Sequence, residues 1–196
     1  MYIRFLKDQP LNKWNQKRKI MHRYNLTAQM YDARYAEEQA AKYEAALRHL
    51  NIEPDNTVLD VGCGTGLLFS NIGIKAKDII GIDLSRLSLQ QAKKRTRLFQ
   101  NSHLIQADSD YLPFTNGCFD VIFAFTVLQN IPKPSETLNE IKRNVKPSGL
   151  IVPTGLRKTF TLENFSALLK DAGLRIISLE HDCALKGYIA ITSLNQ

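Results

Sequence analysis

The chain has 196 residues, 44% hydrophobic and 23% charged, with a net charge of +7. That length and balance fit one globular domain and exclude a disordered chain; no run of about 18 apolar residues suits a membrane span, and MYIRFLKDQP lacks the apolar core of a signal peptide. Cys63, Cys118 and Cys183 form no C-x-x-C pair, which argues against a zinc site or disulfide framework and for a reducing cytoplasm.

Residues 1–23 hold most of the net charge: Arg4, Lys7, Lys13, Lys17, Arg18, Lys19 and Arg23 stand against one acid, Asp8. Tyr2, Phe5, Trp14 and Tyr24 lie among or beside them. Such a segment suits a nucleic-acid backbone, and equally a solvated helical arm. Residues 24–50 read as helix, with Tyr31 and Tyr35 four apart on one face. Glu53-Pro54-Asp55-Asn56 turns the chain into Thr57–Val61, an apolar run fit for a strand buried on both faces. Gly62, Gly64 and Gly66 follow, and Leu67, Leu68, Phe69 and Ile72 space as the buried face of a helix. Strand, glycine turn and helix is how an α/β sheet receives a nucleotide-like ligand, because glycine lets that ligand approach the backbone. The dinucleotide fingerprint needs its third glycine at position 67, which is leucine, and a P-loop needs a lysine that is missing between Asn56 and Gly73. A ligand without phosphates fits better.

Ile79–Ser85 reads as a second buried strand with Asp83 at its carboxyl end, where α/β sheets bind ligands; a carboxylate there can accept from both hydroxyls of a ribose. Ser85 is the N-cap of a helix over Ser85–Gln100, whose Arg86, Lys93, Lys94, Arg95 and Arg97 read as its wet face. His103–Ala107 is a third strand, followed by Asp108. Residues 112–117 turn, and Phe119–Phe125 is a fourth strand, apolar on both faces. Ser135–Val145 is a helix, Lys146–Gly149 a turn, and Leu150–Val152 a fifth strand. Arg157 and Lys158 after it suit either an anionic substrate group or a solvated loop. Phe160–Ala172 is a helix stopped by Gly173. Leu174–Leu179 and Gly187–Ser193 are closing strands, making seven. His181 and Asp182 between them belong to no motif.

D-V-G-C-G-T-G, from Asp60 to Gly66, resembles motif I of the class I S-adenosylmethionine-dependent methyltransferases, in particular the ubiquinone/menaquinone-type enzymes. Ala107 to Ile131 is similar to the A-D-x-x-x-L-P-F…F-D-V-I…V-L-x-x-I pattern of that family, and Tyr31-Asp32 with Tyr35 to its cofactor-covering Y-D-x-x-A-x-x-Y segment, with the second tyrosine two residues closer than usual. The resemblance covers residues 24–193. It implies a three-layer α/β sandwich with a mostly parallel seven-stranded sheet, the last strand antiparallel, preceded here by the basic helical arm (1–23 arm, 24–196 cofactor-binding domain). It places S-adenosylmethionine against Tyr31, Asp60, Gly62, Cys63, Gly64 and Gly66, with Asp83 and Leu84 at the ribose, Asp108 and Ser109 at the adenine, and Phe125 and Thr126 after the fourth strand. It assigns neither a catalytic residue nor a metal. The Asn-Pro-Pro-Tyr/Phe motif is absent, and Gln129 or Asn130 stands where many relatives carry histidine. An amide is no general base, so transfer by proximity is implied. RNA, tRNA first, is the expected acceptor on account of the basic arm. A quinone- or lipid-type small molecule, or a non-catalytic cofactor-binding subunit, remains the alternative, and a small activator subunit pairing with the third strand is a further expectation.

Overall fold

The computed structural model describes residues 12–73 and 75–195. Arg4, Lys7, Asp8, Tyr2 and Phe5 of the basic segment lie outside the described residues.

The apolar runs become β1 (Thr57–Val61), β2 (Asp78–Asp83), β3 (Ser102–Gln106), β4 (Phe119–Ala124), β5 (Val145–Leu156), β6 (Leu174–Glu180) and β7 (Gly187–Leu194). They form one sheet in the order β3-β2-β1-β4-β5-β7-β6. The β1–β2, β1–β4, β2–β3 and β4–β5 pairs are parallel, while β7 runs antiparallel to both β5 and β6. The expected seven-stranded sheet with an antiparallel last strand is therefore the observed one. The chain winds outward from β1 through β2 to β3, then restarts at β4 on the other side of β1. That reversal opens a crevice at the carboxyl ends of β1 and β4, the place where open α/β sheets take ligands.

Alternation within β1 divides the core in two. Val58 joins Phe69, Ile79 and Phe123 on one face, with Tyr43 and Ala46 of α2 (Tyr31–Leu47) packed above. Leu59 faces the other way, toward Ile122, Leu138 and Ile141 of α5 (Pro134–Asn144) and Phe165 of α6 (Leu162–Asp171). Burying each such side chain stabilises the fold by about 1.5–3 kcal/mol. The remaining helices are α1 (Lys13–Thr27), the single turn α3 (Phe69–Ile72) and α4 (Arg86–Thr96). Ser85 caps α4 by accepting from the Ser88 N–H at 3.1 Å, and Thr161 caps α6 through the Asn164 N–H.

Three local expectations change. Lys146–Gly149 is not a separate turn but an outward bulge within β5: Val145 pairs with Phe119 and Leu150 with Val121, so the intervening residues leave the ladder. The α4 helix stops at Thr96, short of Gln100. The boundary expected at residue 23 falls inside α1, so Tyr24 shares a helix with the described part of the basic segment.

Candidate functional site

The three glycines of the β1 loop all have positive φ, +72° at Gly62, +54° at Gly64 and +76° at Gly66, which disfavours any residue with a Cβ. They differ in what surrounds them. A Cβ on Gly62 would meet Val127 at 2.5 Å, and one on Gly66 would meet Ala92 of α4 at 3.1 Å. A Cβ on Gly64 would meet nothing within 4 Å. Gly62 and Gly66 answer to packing, and Gly64 alone borders open space. The loop is fixed from below by the Cys63 N–H donating to the Ile82 carbonyl at 2.9 Å.

Beside it lies a concave cleft at the carboxyl ends of the strands, the place where such sheets take ligands. The switch point gathers nine of the twelve residues named from sequence. Gly62, Gly64, Asp83 and Leu84 line the cleft from β1 and β2. Asp108 and Ser109 line it from the end of β3, Phe125 and Thr126 from the end of β4, and Tyr31 from α2. Asp60, Cys63 and Gly66 are not lining residues; Asp60 is buried in β1, and Cys63 and Gly66 lie on the buried side of the loop.

Both oxygens of Asp83 are in use. Oδ2 accepts the Gly64 N–H at 2.9 Å, and Oδ1 accepts the Ser85 N–H at 2.7 Å. Asp83 thus holds the loop and the start of α4 in place. Burial raises its carboxyl above the ordinary value, and the backbone N–H donors oppose that. Asp60, 3% exposed, is pushed up to about 8, first by burial and then by the charge of Asp83.

Asp60 therefore carries a proton in the free fold at neutral pH. The unfolded carboxyl titrates at 3.8, so between there and about pH 8 the native state holds a proton that the unfolded chain has released. This group's contribution to stability is complete below pH 3.8 and is lost as pH rises, by about 1.4 kcal/mol per unit. Asp60→Asn, which cannot ionise, is expected to remove that downward slope in urea unfolding between pH 5 and 8. An unaltered slope would assign the titration to another group.

The lid over the cleft is the element that sequence reasoning placed elsewhere. α1 carries Lys17, Ile20, Met21 and Tyr24 into the wall. Lys17, 5% exposed, forms ion pairs with Asp108 and with Asp110, the latter at 2.5 Å. Lys13 pairs with Asp110 at 2.6 Å and with Glu136. Burial pushes the Asp110 carboxyl up, but the hydrogen bonds from Lys13 and Lys17 outweigh it and hold it below the ordinary carboxylate value. Asn25 accepts the Ser85 hydroxyl at 2.7 Å and so ties α1 to α4. The start of α2 is fastened similarly. Asp32 accepts from Thr65 at 2.5 Å and from Arg95 at 2.6 Å, so Arg95 belongs to the site's framework rather than to the wet face of α4.

A second and larger cleft adjoins the first. The two share Tyr24, Tyr31, Thr126 and Asn130 as a common wall. Thr126 has φ +61°, unfavourable for a β-branched residue and a form of strain that clusters at functional sites. Its N–H donates to Thr154 at 2.8 Å, its hydroxyl accepts from Gln39 at 3.1 Å, and its carbonyl accepts from Asn130 at 2.8 Å. Tyr35 packs on Tyr31, ring centres 4.9 Å apart, and lines only the second cleft.

Residues 52–180 match the family model described as "Methyltransferase domain". A malonyl-[acyl-carrier protein] O-methyltransferase of Marinomonas sp. is 31% identical over 69% of this chain and 51% of its own length. A demethylmenaquinone methyltransferase of Staphylococcus saprophyticus is 32% identical over 54% of this chain and 47% of its own. The chain thus spans about half the length of these relatives. Among solved structures, a SAM-dependent methyltransferase from Aquifex aeolicus superposes with TM-score 0.69 at 18% identity, over 76% of this chain and 88% of that one. A Haloferax volcanii methyltransferase solved in complex with the Trm112 activator superposes with TM-score 0.73 at 18% identity, over 88% and 98%. These structures establish the fold. The family match spans the glycine loop and the strand ends that border the cleft, and the chain belongs to the methyltransferase domain family, with the fold of S-adenosylmethionine-dependent methyltransferases.

Proposed function

We propose that the chain transfers the methyl group of S-adenosylmethionine, held in the first cleft, to a small-molecule acceptor held in the second. The observation that carries this reading is the shared wall: Tyr24, Tyr31, Thr126 and Asn130 border both clefts, so two ligands would meet there. When bound, the cofactor supplies an already activated sulfonium methyl, for which in-line placement of a nucleophile does much of the catalytic work.

The chain's own groups suit that ligand. Each Asp83 oxygen carries one backbone N–H and keeps a lone pair for a ribose hydroxyl. Asp108 takes both Lys17 and the Asp110 N–H on Oδ1, which leaves Oδ2 for the adenine amino group, with the Ser109 backbone beside the ring. Gly64 leaves room for the methionine end. Leu84 and Phe125 supply apolar walls, and α1 closes over them and excludes water. No phosphate cation is needed, in keeping with the missing P-loop lysine.

A small acceptor is favoured over RNA because three of the five described cations of the arm are engaged within the fold: Lys13 and Lys17 on Asp108, Asp110 and Glu136, and Arg23 on Asn130 at 2.9 Å. RNA binding that weakens steeply with salt would reverse that preference. The outer edge of β3, which ends the sheet, suits a small activator subunit, and co-purification tests for one.

Calorimetric titration with S-adenosylmethionine, with NADH as control, tests the cofactor site. Only the former is expected to bind. Asp83→Ala removes two charge-assisted hydrogen bonds worth about 1.5 kcal/mol each, so affinity is expected to fall about 100-fold. Unchanged affinity in the variant would remove Asp83 from the ribose.

A further inference from the structure

The inference below rests on the methyltransferase reading and concerns the acceptor side of the same site. We infer that the acceptor is a small oxyanion methylated on that oxygen, and that Gln129 recognises it. Gln129 belongs to the 3₁₀ turn Leu128–Asn130 and lines the second cleft. Its Nε2 and Oε1 are both buried, and neither has a hydrogen-bond partner. A buried amide with all its valences unmet is rare in a folded protein and calls for an absent partner. The neighbouring amides are committed: Asn130 to Tyr24, Arg23 and the Thr126 carbonyl, and Gln39 to Thr126. Gln129 alone is held in reserve at the cleft.

The charge around it specifies the sign of the ligand. Arg23, Arg34, Arg157, Lys158 and Lys186 line the second cleft against one carboxylate, Glu38. Lys186 pairs with Glu38 at 2.9 Å, and Arg157 spends its donors on the carbonyls of Leu185, His181 and Asp182. Arg34 and Lys158 have no ion-pair partner among the described residues. An ammonium acceptor, or an amine that becomes cationic on methylation, meets repulsion here; an anion is drawn in.

The proton inventory points the same way. Among the described residues no histidine lines either cleft. Glu38 is engaged by Lys42 at 2.8 Å as well as by Lys186, Asp83 by two backbone donors, and Asp108 by Lys17. Burial raises the Tyr24 and Tyr31 phenols, so neither is an oxyanion at neutral pH. An alcohol would have no base to receive its proton. An acceptor that is already an oxyanion gives up none: its lone pair forms the O–C bond, the electron pair of the breaking C–S bond stays with sulfur, and the anion's charge is neutralised by the sulfonium's. The Gln129 amide, inaccessible in the ligand-free fold, turns into the cleft when the anion enters, so that Nε2 donates to the oxyanion's second oxygen or to its neighbouring carbonyl, and the free cations hold it electrostatically.

The test uses the full chain with S-adenosylmethionine present. Probes are octanoate and benzoate as carboxylates, 4-hydroxycoumarin as an acidic enol, and octanamide and benzamide as neutral controls. Binding is read by saturation-transfer NMR and titration, and transfer by release of S-adenosylhomocysteine. The expected result is binding and O-methylation within the anionic set only, carboxylate and enol arms telling which source of oxyanion is preferred. Gln129→Leu should weaken the preferred anion about tenfold while leaving cofactor affinity unchanged and raising the melting temperature of the ligand-free protein, which a merely structural glutamine would lower. Arg34→Gln with Lys158→Gln should weaken the anion further. Equal binding of the amides, no binding by any anion, or unchanged affinity in Gln129→Leu overturns the inference. Failure of S-adenosylmethionine itself to bind the native chain overturns the reading beneath it, and the two failures are read in separate titrations.

Discussion

Replacing Gly64 with valine is expected to abolish S-adenosylmethionine binding, weakening it by at least about 100-fold, or roughly 2.7 kcal/mol. The position differs from its two neighbours in kind. At Gly62 and Gly66 an added carbon strikes Val127 or Ala92, so a substitution there damages packing and stability before it touches a ligand. At Gly64 the added carbon strikes nothing, so valine's branches enter the space that the cofactor would fill. The backbone resists as well. With φ at +54° a β-branched residue sits in a region that costs about 1–2 kcal/mol, and the loop relaxes by pulling its N–H away from Asp83. Gly64→Ala separates the two effects. It bears most of the backbone strain and little of the bulk, so its melting temperature should drop almost as far as valine's while its affinity falls less. Calorimetry on both, with circular dichroism to verify folding, checks this. A folded Gly64→Val variant that binds the cofactor normally would put the ligand elsewhere in the molecule.

The fold was legible because its strands are buried on both faces. Val58, Leu59, Ile79, Ile82, Ile122 and Phe123 must be apolar in sequence if they lie in the middle of a parallel sheet, and such runs stand out. The carboxylates at the strand ends were legible for the complementary reason: Asp83 and Asp108 interrupt apolar sequence where the sheet stops. What could not be read is whatever depends on contact between distant segments. Lys17 looks like any solvated lysine of a basic stretch, and only the fold brings it to Asp108 and Asp110, ninety-one and ninety-three positions away. Arg95 likewise looks like the wet side of α4 until Asp32 is folded against it. The bulge in β5 escaped because Lys-Pro-Ser-Gly carries the signature of a turn, and the bulge uses that turn chemistry without ending the strand. Gln129 is the instructive middle case. Its position after β4 marked it as part of the site, and its lack of any partner, visible only in three dimensions, gives it a role.

Replacing Lys17 with methionine is expected to release α1 from the cleft. Methionine keeps the length and most of the volume, so packing is nearly conserved and the charge alone is removed. Asp108 and Asp110 would then face each other with only Lys13 to offset them, and taking one partner from a buried ion pair costs about 3–5 kcal/mol. The sheet need not bear that cost. α1 is joined to the rest by Ala28–Met30 and lies against the rim, so the inexpensive response is local: the helix lifts and both carboxylates regain water. Hydrogen exchange should therefore accelerate in Lys13–Thr27 and stay slow in β1 and β4, and protease should cut within α1 first. Cofactor affinity should fall with it, since Ile20, Met21 and Tyr24 leave the wall. Adding Asp110→Asn to Lys17→Met removes the excess negative charge and should restore part of both protection and affinity, a coupling that two independent sites would not display. Normal exchange in α1 of the single variant would show that the lid is held by its apolar face and by Asn25 rather than by Lys17. Recovery in the pair would make one lysine responsible for two tasks that meet at Asp108: it fastens the lid on Oδ1 and holds a carboxylate that lines the cleft, so that closing the arm and completing the cleft wall become a single event.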